Sequence, residues 1–384
     1  MGGGRIVKTA AELENEVTKL AHTLDLEQVA DVEIDKGLEL IEEVHKYLER
    51  MDVGSCKGCI AVLGTTGVGK STLVSLLFGE GRLLVHHENE YSRVLVAEKP
   101  LAGVDIHSGS SSKTLLPGVI RTRIGDEDVV VFDMPGSHDT RGPFAELVVH
   151  SILKWMLAKH EQMKFLLVAT PPQQRPQGIG LANTINRVYD GSSNAVLVYM
   201  KCDADFEPGS TTILEGIETE KRKIPAFALL KPAKSDREGL DYSSKYQVAK
   251  RVILKQLVAP VSSIDVFEGS VPESAQLLLQ NFCKRSIAKA RHAISQEFLR
   301  AYRPDRLRRS FDEISALLDA LVSQQGLGFD AVAQLFELML PRFFQIHNLN
   351  SVSKAAKRLR LMERWTGGSL VICKEEWLTE ECRV

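Results

Sequence analysis

No apolar run in this chain approaches the ~20 residues that span a bilayer, so membrane contact, where it occurs, is expected to be peripheral. The signals for lipid anchoring are missing too. Ile6 stands where the myristoylation pattern after Met1-Gly2 wants Ser or Thr, and Cys382 is third from the end where prenylation wants the fourth. Cysteine is sparse, 6 in 384 residues with no secretory leader, which implies reduced thiols and a cytoplasmic setting. Cys56 and Cys59 form a single CxxC pair without the two further ligands of a structural zinc, and they read as incidental to the start of a strand. Charge of one sign is lacking as well: 48 Lys+Arg against 50 Asp+Glu leave a net −2. That balance provides no electrostatic footprint for nucleic acid, and no specific nucleic acid is expected. Internal repeats and low-complexity tracts are absent.

With 44% apolar and 26% charged residues, the chain has an ordinary globular composition and enough length for a large core domain plus accessory segments. Its charge is unevenly placed. Residues 10–50 hold 12 Asp+Glu and 4 Lys+Arg, whereas residues 272–364 hold 9 and 15. An acidic helical face and a basic one that pack on each other are the expectation.

Thr9-Ala-Ala-Glu12 is a capping-box pattern, followed by Leu13, Val17, Leu20 and Leu24 at helical spacing. Leu40, Ile41, Val44 and Leu48 mark a second helix. From Gly58 to Leu257, β-branched runs alternate with amphipathic stretches. The strand candidates are 59–63, 120–124, 129–132, 165–168, 195–200 and 226–230. Helices are expected at 70–78, 143–159, 179–189, 213–222 and 242–257. This alternation predicts an α/β fold, a mainly parallel sheet with helices on both faces. Residues 79–118 are weakly patterned and read as a long loop. After Pro272 the spacing becomes helical to about Trp365, suggesting a bundle, and residues 369–384 look like a short strand and a helix. The expected division is an N-terminal helical extension (1–55), a nucleotide-binding domain (56–262) and a C-terminal helical region (263–384).

The apolar run 59–63 leads into Gly64-Thr65-Thr66-Gly67-Val68-Gly69-Lys70-Ser71, which keeps the G-x-x-x-x-G-K-[ST] spacing in a strand-to-helix context. Glycines there let backbone N–H groups close around phosphate oxygens, and the helix that starts through Thr72 points its positive end at the same anion. Lys70 reaches the β and γ phosphates in such a loop, and Ser71 holds Mg²⁺ through its hydroxyl. Val129-Val-Val-Phe-Asp-Met-Pro-Gly136 adds a strand ending in Asp-x-x-Gly. Asp133 is placed to hold the Mg²⁺ shell, and the Gly136 N–H to meet the γ-phosphate.

Met200-Lys201-Cys202-Asp203 ends a later strand, and with it the chain resembles the P-loop GTPases of the translation-factor-related class, whose guanine-reading motif is Asn/Thr-Lys-x-Asp. The resemblance implies a G domain binding GTP/GDP and Mg²⁺. Asp203 takes the role of accepting from guanine N1–H and the 2-amino group, and Lys201 that of lying along the base. Adenine offers neither donor, which leaves a carboxylate unpaired at a cost of about 1.5–3 kcal/mol. Met200 departs from the motif, since Asn or Thr there braces this loop against the phosphate loop. Lys231-Pro-Ala233-Lys234 resembles the family's Ser-Ala-Lys loop, in which a backbone N–H, here that of Ala233, reads guanine O6. The switch threonine that joins Mg²⁺ is assigned to Thr114, with Thr122 and Thr140 as rivals.

Water positioning is the gap in the resemblance. Ser137 follows Gly136 where Ras-like members have Gln and translation factors have His; His138 comes one residue late. Arg82, Arg93 and Arg141 are candidate arginine fingers, each with a plain surface role as its alternative. The flanking helices resemble those of dynamin-related, septin-related or immunity-associated GTPases, which implies a homo-oligomer or dimer through the G domain or the helices. The alternatives are a nucleotide-binding scaffold that hydrolyses poorly, and a P-loop ATPase or kinase.

Overall fold

In a computed structural model of the chain, the described residues are 8–24, 31–51, 58–88, 93–99, 101, 115–136, 142–160, 163–171, 195–208, 224–258, 275–282, 285–286, 327–328, 357–358, 360–362 and 371–372. The expected helices 179–189 and 213–222, and most of the expected bundle, lie outside them.

The first helix, α1 (Ala10–Leu24), starts at the capping box: the Thr9 N–H donates to Glu12 Oε2 at 2.7 Å and the Glu12 N–H to Thr9 Oγ1 at 3.3 Å. After α2 (Asp31–Arg50) come β1 (Gly58–Gly64) and α3 (Lys70–Phe78). The segment read as a loop contains two strands, β2 (Leu83–His87) and β3 (Arg93–Ala97), paired antiparallel. Neither strand is an uninterrupted apolar run, since His86, His87 and Arg93 sit at their ends, and β3 is only half-buried throughout. The chain continues through β4 (Gly118–Ile124), β5 (Glu127–Asp133), α4 (Pro143–Lys159), β6 (Met163–Ala169), β7 (Ala195–Cys202) and β8 (Ala226–Leu230). The last expected helix of this region begins later than its apolar spacing suggests. A 3-10 turn at Ser244–Tyr246 precedes α5 (Gln247–Leu257).

Six strands form one sheet in the order β4-β5-β1-β6-β7-β8. All neighbours run parallel except β4, which is antiparallel to β5. Alternation of side chains divides its two faces. Ile60, Val62, Val131, Leu166, Val168 and Val198 join Leu73, Val74 and Leu77 of α3 and Ile253 and Leu257 of α5 in one buried cluster. Phe132 faces the other way and meets the His160 ring just past α4, with centroids 6.0 Å apart. This is the expected α/β fold, a mainly parallel sheet, with the glycine-rich loop 64–71 leaving the carboxyl end of β1.

The chain divides into two compact units. The first comprises Met1–His22 and Ile41–Gly269, the second Thr23–Leu40 and Ser270–Val384, so the segment 1–55 is shared between them. In the first unit, Glu14 Oε1 accepts the N–H groups of Leu115 and Leu116 at 2.9 and 3.1 Å, and His45 Nε2 lies 3.2 Å from Ser151 Oγ. Glu43 pairs with Lys8 at 2.8 Å. In the second unit the acidic N-terminal and basic C-terminal segments do meet: buried Arg358 donates to Asp35 Oδ1 at 2.5 Å. The same unit holds a short antiparallel bridge, β9 (Leu327–Gly328) with β10 (Val371–Ile372).

Candidate functional site

Register fixes the first glycine of the phosphate loop. Gly64 pairs with Val168 across β1 and β6, and a Cβ at Gly64 would lie 2.3 Å from the Val168 carbonyl oxygen. Gly67 (φ 80°) and Gly69 (φ 104°) occupy the left-handed region, where side chains are strained. Gly69 is also the N-cap of α3 and provides no side-chain cap, so the first N–H groups of the helix are not closed off by a cap oxygen. Val68 is buried and anchors the loop from below, while Thr66, Gly67 and Gly69 stay partly open to solvent.

Lys70 folds across the loop and donates to the carbonyls of Gly64 (3.1 Å) and Thr65 (3.2 Å). Burial pushes its amine down to about 8, against the pull of the Asp133 carboxylate. Ser71 Oγ donates to Asp133 Oδ2 at 2.8 Å, joining the start of α3 to the end of β5. Burial raises the Asp133 carboxyl above its ordinary range, opposed by the Ser71 hydrogen bond and by Lys70. Among the described residues, Asp133 Oδ1 is buried with no hydrogen-bond partner, and so are the hydroxyls of Thr65 and Thr66. A carboxylate oxygen left without a partner beside a serine hydroxyl is a hard-oxygen donor set, and it fits Mg²⁺. Gly136 lies against the loop: a Cβ there would sit 2.3 Å from Thr66 Oγ1 and 2.6 Å from the Thr66 nitrogen. Any side chain at 136 would enter the space above the phosphate loop.

At the end of β7 the pairing with β8 slips between Tyr199 and Cys202, and Lys201 takes φ 61°, the one non-glycine residue with positive φ among the described residues. A left-handed lysine costs on the order of 1–3 kcal/mol and marks a conformation that the surroundings enforce. The bulge aims Lys201 back along the sheet, where its Nζ donates to the Gly67 carbonyl at 2.7 Å. Burial lowers the Lys201 amine, opposed by Glu88. Met200 is buried beneath, its Cβ, Cγ and Cε 3.5–3.6 Å from the point a Gly69 Cβ would occupy. Thioether packing and one ammonium thus link the end of β7 to the glycine-rich loop.

Asp203 follows, half-exposed, with Oδ1 2.6 Å from Lys231 Nζ. The Lys231 N–H donates to the Cys202 carbonyl at 2.9 Å, which places the segment 231–234 beside Asp203. The Ala233 N–H donates to Asp236 Oδ2 at 2.6 Å, and the Tyr242 hydroxyl donates to the same oxygen. Lys234 is exposed.

Gly64 to Thr72, Asp133, Gly136, Lys201, Asp203 and Ala233 therefore lie along the carboxyl edge of β1, β5, β7 and β8. Thr122 sits inside β4 opposite Val129. Arg82 is held by Glu98 through two bonds, 2.7 and 3.1 Å, which is a surface role. Thr114, Ser137, His138, Thr140 and Arg141 fall outside the described residues, as does Cys56; Cys59 and Cys202 are buried. Sequence reasoning did not single out Lys231 as a partner of Asp203, nor Asp236 as the acceptor of the Ala233 N–H. Both lie within or just after the segment 231–234, but nothing in the spacing pairs them.

No family model and no curated protein matches the chain. Solved structures similar to it include Toc33 from Arabidopsis thaliana in complex with GDP and Mg²⁺, at 17% identity over 59% of this chain and 93% of that one, TM-score 0.33. Era from Aquifex aeolicus bound to GDP and AlF₄⁻ shows 16% identity over 59% and 67%, TM-score 0.29. NFeoB from S. thermophilus bound to GDP shows 12% identity over 81% and 99%, TM-score 0.28. The strand order and the junction from β1 through the glycine-rich loop to α3 themselves show an α/β fold with a mainly parallel sheet.

Proposed function

We propose that this chain binds GTP and GDP through the carboxyl edge of its sheet and hydrolyses GTP with Mg²⁺, its nucleotide state being passed to the helical segments and their partners. The observation that carries the reading is the 2.7 Å bond from Lys201 Nζ to the Gly67 carbonyl. It ties the base-reading motif to the phosphate loop, so that Asp203 and Lys70 address one ligand. Purine specificity comes from Asp203, supported by the N–H of Ala233. Lys70 leaves the Gly64 and Thr65 carbonyls for the β and γ phosphate oxygens, and the N–H groups at the start of α3 stabilise the charge that grows there. Ser71 and Asp133 are the protein donors for Mg²⁺, which when bound neutralises phosphate charge. The Gly136 N–H contacts the γ-phosphate, and Thr114 completes the switch. His138 is the candidate for orienting water.

A second reading, a nucleotide-binding scaffold with negligible turnover, is favoured by Ser137 directly after Gly136. Single-turnover hydrolysis of GTP separates the two. A rate abolished by chelation of Mg²⁺ and by Lys70→Ala supports the enzyme, and a rate unchanged by Lys70→Ala supports the scaffold. No helix among the described residues is long and apolar enough to cross a membrane. Our reading places the protein in the cytoplasm, with self-association or peripheral membrane contact mediated by the helices.

A further inference from the structure

The two groups assigned to the guanine edge are both engaged by side chains of the chain itself. Lys231 Nζ lies 2.6 Å from Asp203 Oδ1, where the N1–H and 2-amino donors of guanine belong. Asp236 Oδ2 takes the Ala233 N–H at 2.6 Å, where the O6 acceptor belongs. The stand-ins have the polarity of guanine: a cationic donor faces the carboxylate and an anionic acceptor faces the amide. Adenine, with an acceptor at N1 and a donor at N6, has the opposite pattern.

We infer that Lys231 and Asp236 form an internal surrogate of the guanine edge, and that nucleotide must displace both side chains to be read. This rests on the guanine assignment of Asp203 and Ala233. The geometry allows the exchange. Asp203 and Lys231 are each about half-exposed, with side-chain exposures of 52% and 51%, so the ammonium swings into solvent without leaving a buried charge behind. Asp236 has a second anchor, because the Tyr242 hydroxyl donates to the same oxygen. That hydroxyl, ahead of the Ala233 N–H, holds the Asp236 carboxyl below its ordinary range, while slight desolvation works the other way. The Ala233 N–H also donates to Tyr242 Oη at 3.3 Å. When Asp236 releases the amide, the carboxylate keeps Tyr242 as a partner, and guanine O6 competes for the amide only with the longer of its two bonds.

The consequence is specificity obtained by competition. A base that offers the guanine pattern replaces both contacts, and one that does not leaves Lys231 on Asp203. Because an exposed ion pair contributes little, the displacement penalty is modest. Lys231→Met is expected to tighten binding roughly two- to fivefold.

Equilibrium titration of the full chain with mant-GDP and mant-ADP, for wild type, Lys231→Met, Lys231→Arg and Asp236→Ala, tests this. Expected results are tighter mant-GDP binding for Lys231→Met and Asp236→Ala, near wild-type binding for Lys231→Arg, and little change for mant-ADP. The gap between wild type and Lys231→Met should narrow as salt is raised from about 0.05 M to about 0.5 M, since screening weakens the competing pair. Unchanged or weaker mant-GDP binding by Lys231→Met overturns the inference for Lys231, because the lysine would then be neutral or a ligand. Weaker binding by Asp236→Ala overturns it for Asp236, whose role would then be to shape the loop. Equal affinity of wild type for mant-GDP and mant-ADP overturns the guanine assignment itself, and the surrogate with it.

Discussion

Met200 packs under Gly69, its Cε 3.5 Å from the point where a Cβ on that glycine would lie. An apolar side chain thus supports the left-handed turn that opens α3, at the position where the resemblance calls for a hydrogen-bonding one. Met200→Ala removes this support from a buried site and should lower unfolding stability by about 2–4 kcal/mol, read from urea denaturation. The same variant should weaken nucleotide binding, since Gly69 sits at the N-cap. Stability lost with affinity unchanged would show that Met200 serves the core alone.

Lys201 combines strain with a contact, and the two can be separated. Lys201→Ala and Lys201→Gly both lose the bond to the Gly67 carbonyl, but glycine adopts φ 61° at no steric cost. Lys201→Gly should therefore be the more stable of the two by about 1 kcal/mol, with equal losses of nucleotide affinity. Equal stabilities would mean that the backbone is not strained there.

The role proposed for Lys70 predicts that phosphate binding depends on pH. Its amine is pushed down from 10.5 to about 8 in the ligand-free protein, so between those values the unfolded chain binds more protons than the folded one. The ligand-free fold consequently gains stability as pH rises from about 8 toward 10.5, and below 8 it bears the full cost of burying the charge. Phosphates restore the proton. Calorimetry in buffers of different ionisation enthalpy should show proton uptake on GDP binding that grows from about pH 7.5 to about pH 8.5. No uptake at either pH would contradict the assignment of Lys70 to the phosphates.

Much of this site is readable without a structure because its logic is local. Gly58 to Ser71 and Val129 to Gly136 each contain strand residues, the strand's end and the candidate site residues in one short stretch, and α4 has the bounds its spacing predicts, Pro143–Lys159. Features set by tertiary geometry are not readable in that way. The pairing of Lys231 with Asp203 depends on how the ends of β7 and β8 lie side by side, and the bulge that turns Lys201 depends on a register shift. The β2–β3 ribbon was hidden for a related reason. Its backbone is completed by distant partners, the Val85 N–H donating to Leu240 O at 3.0 Å and the Tyr242 N–H to Leu83 O at 2.8 Å. No pattern within 79–118 announces those bonds.

The central claim is that the phosphate loop and Asp203 hold one guanine nucleotide, and the direct measurement is mant-GTP against mant-ATP binding by wild type and Asp203→Asn. Wild type should prefer mant-GTP by roughly tenfold or more, and Asp203→Asn should lose most of that preference while still binding triphosphate. Equal affinity of wild type for the two nucleotides, or a preference that survives Asp203→Asn, would contradict it.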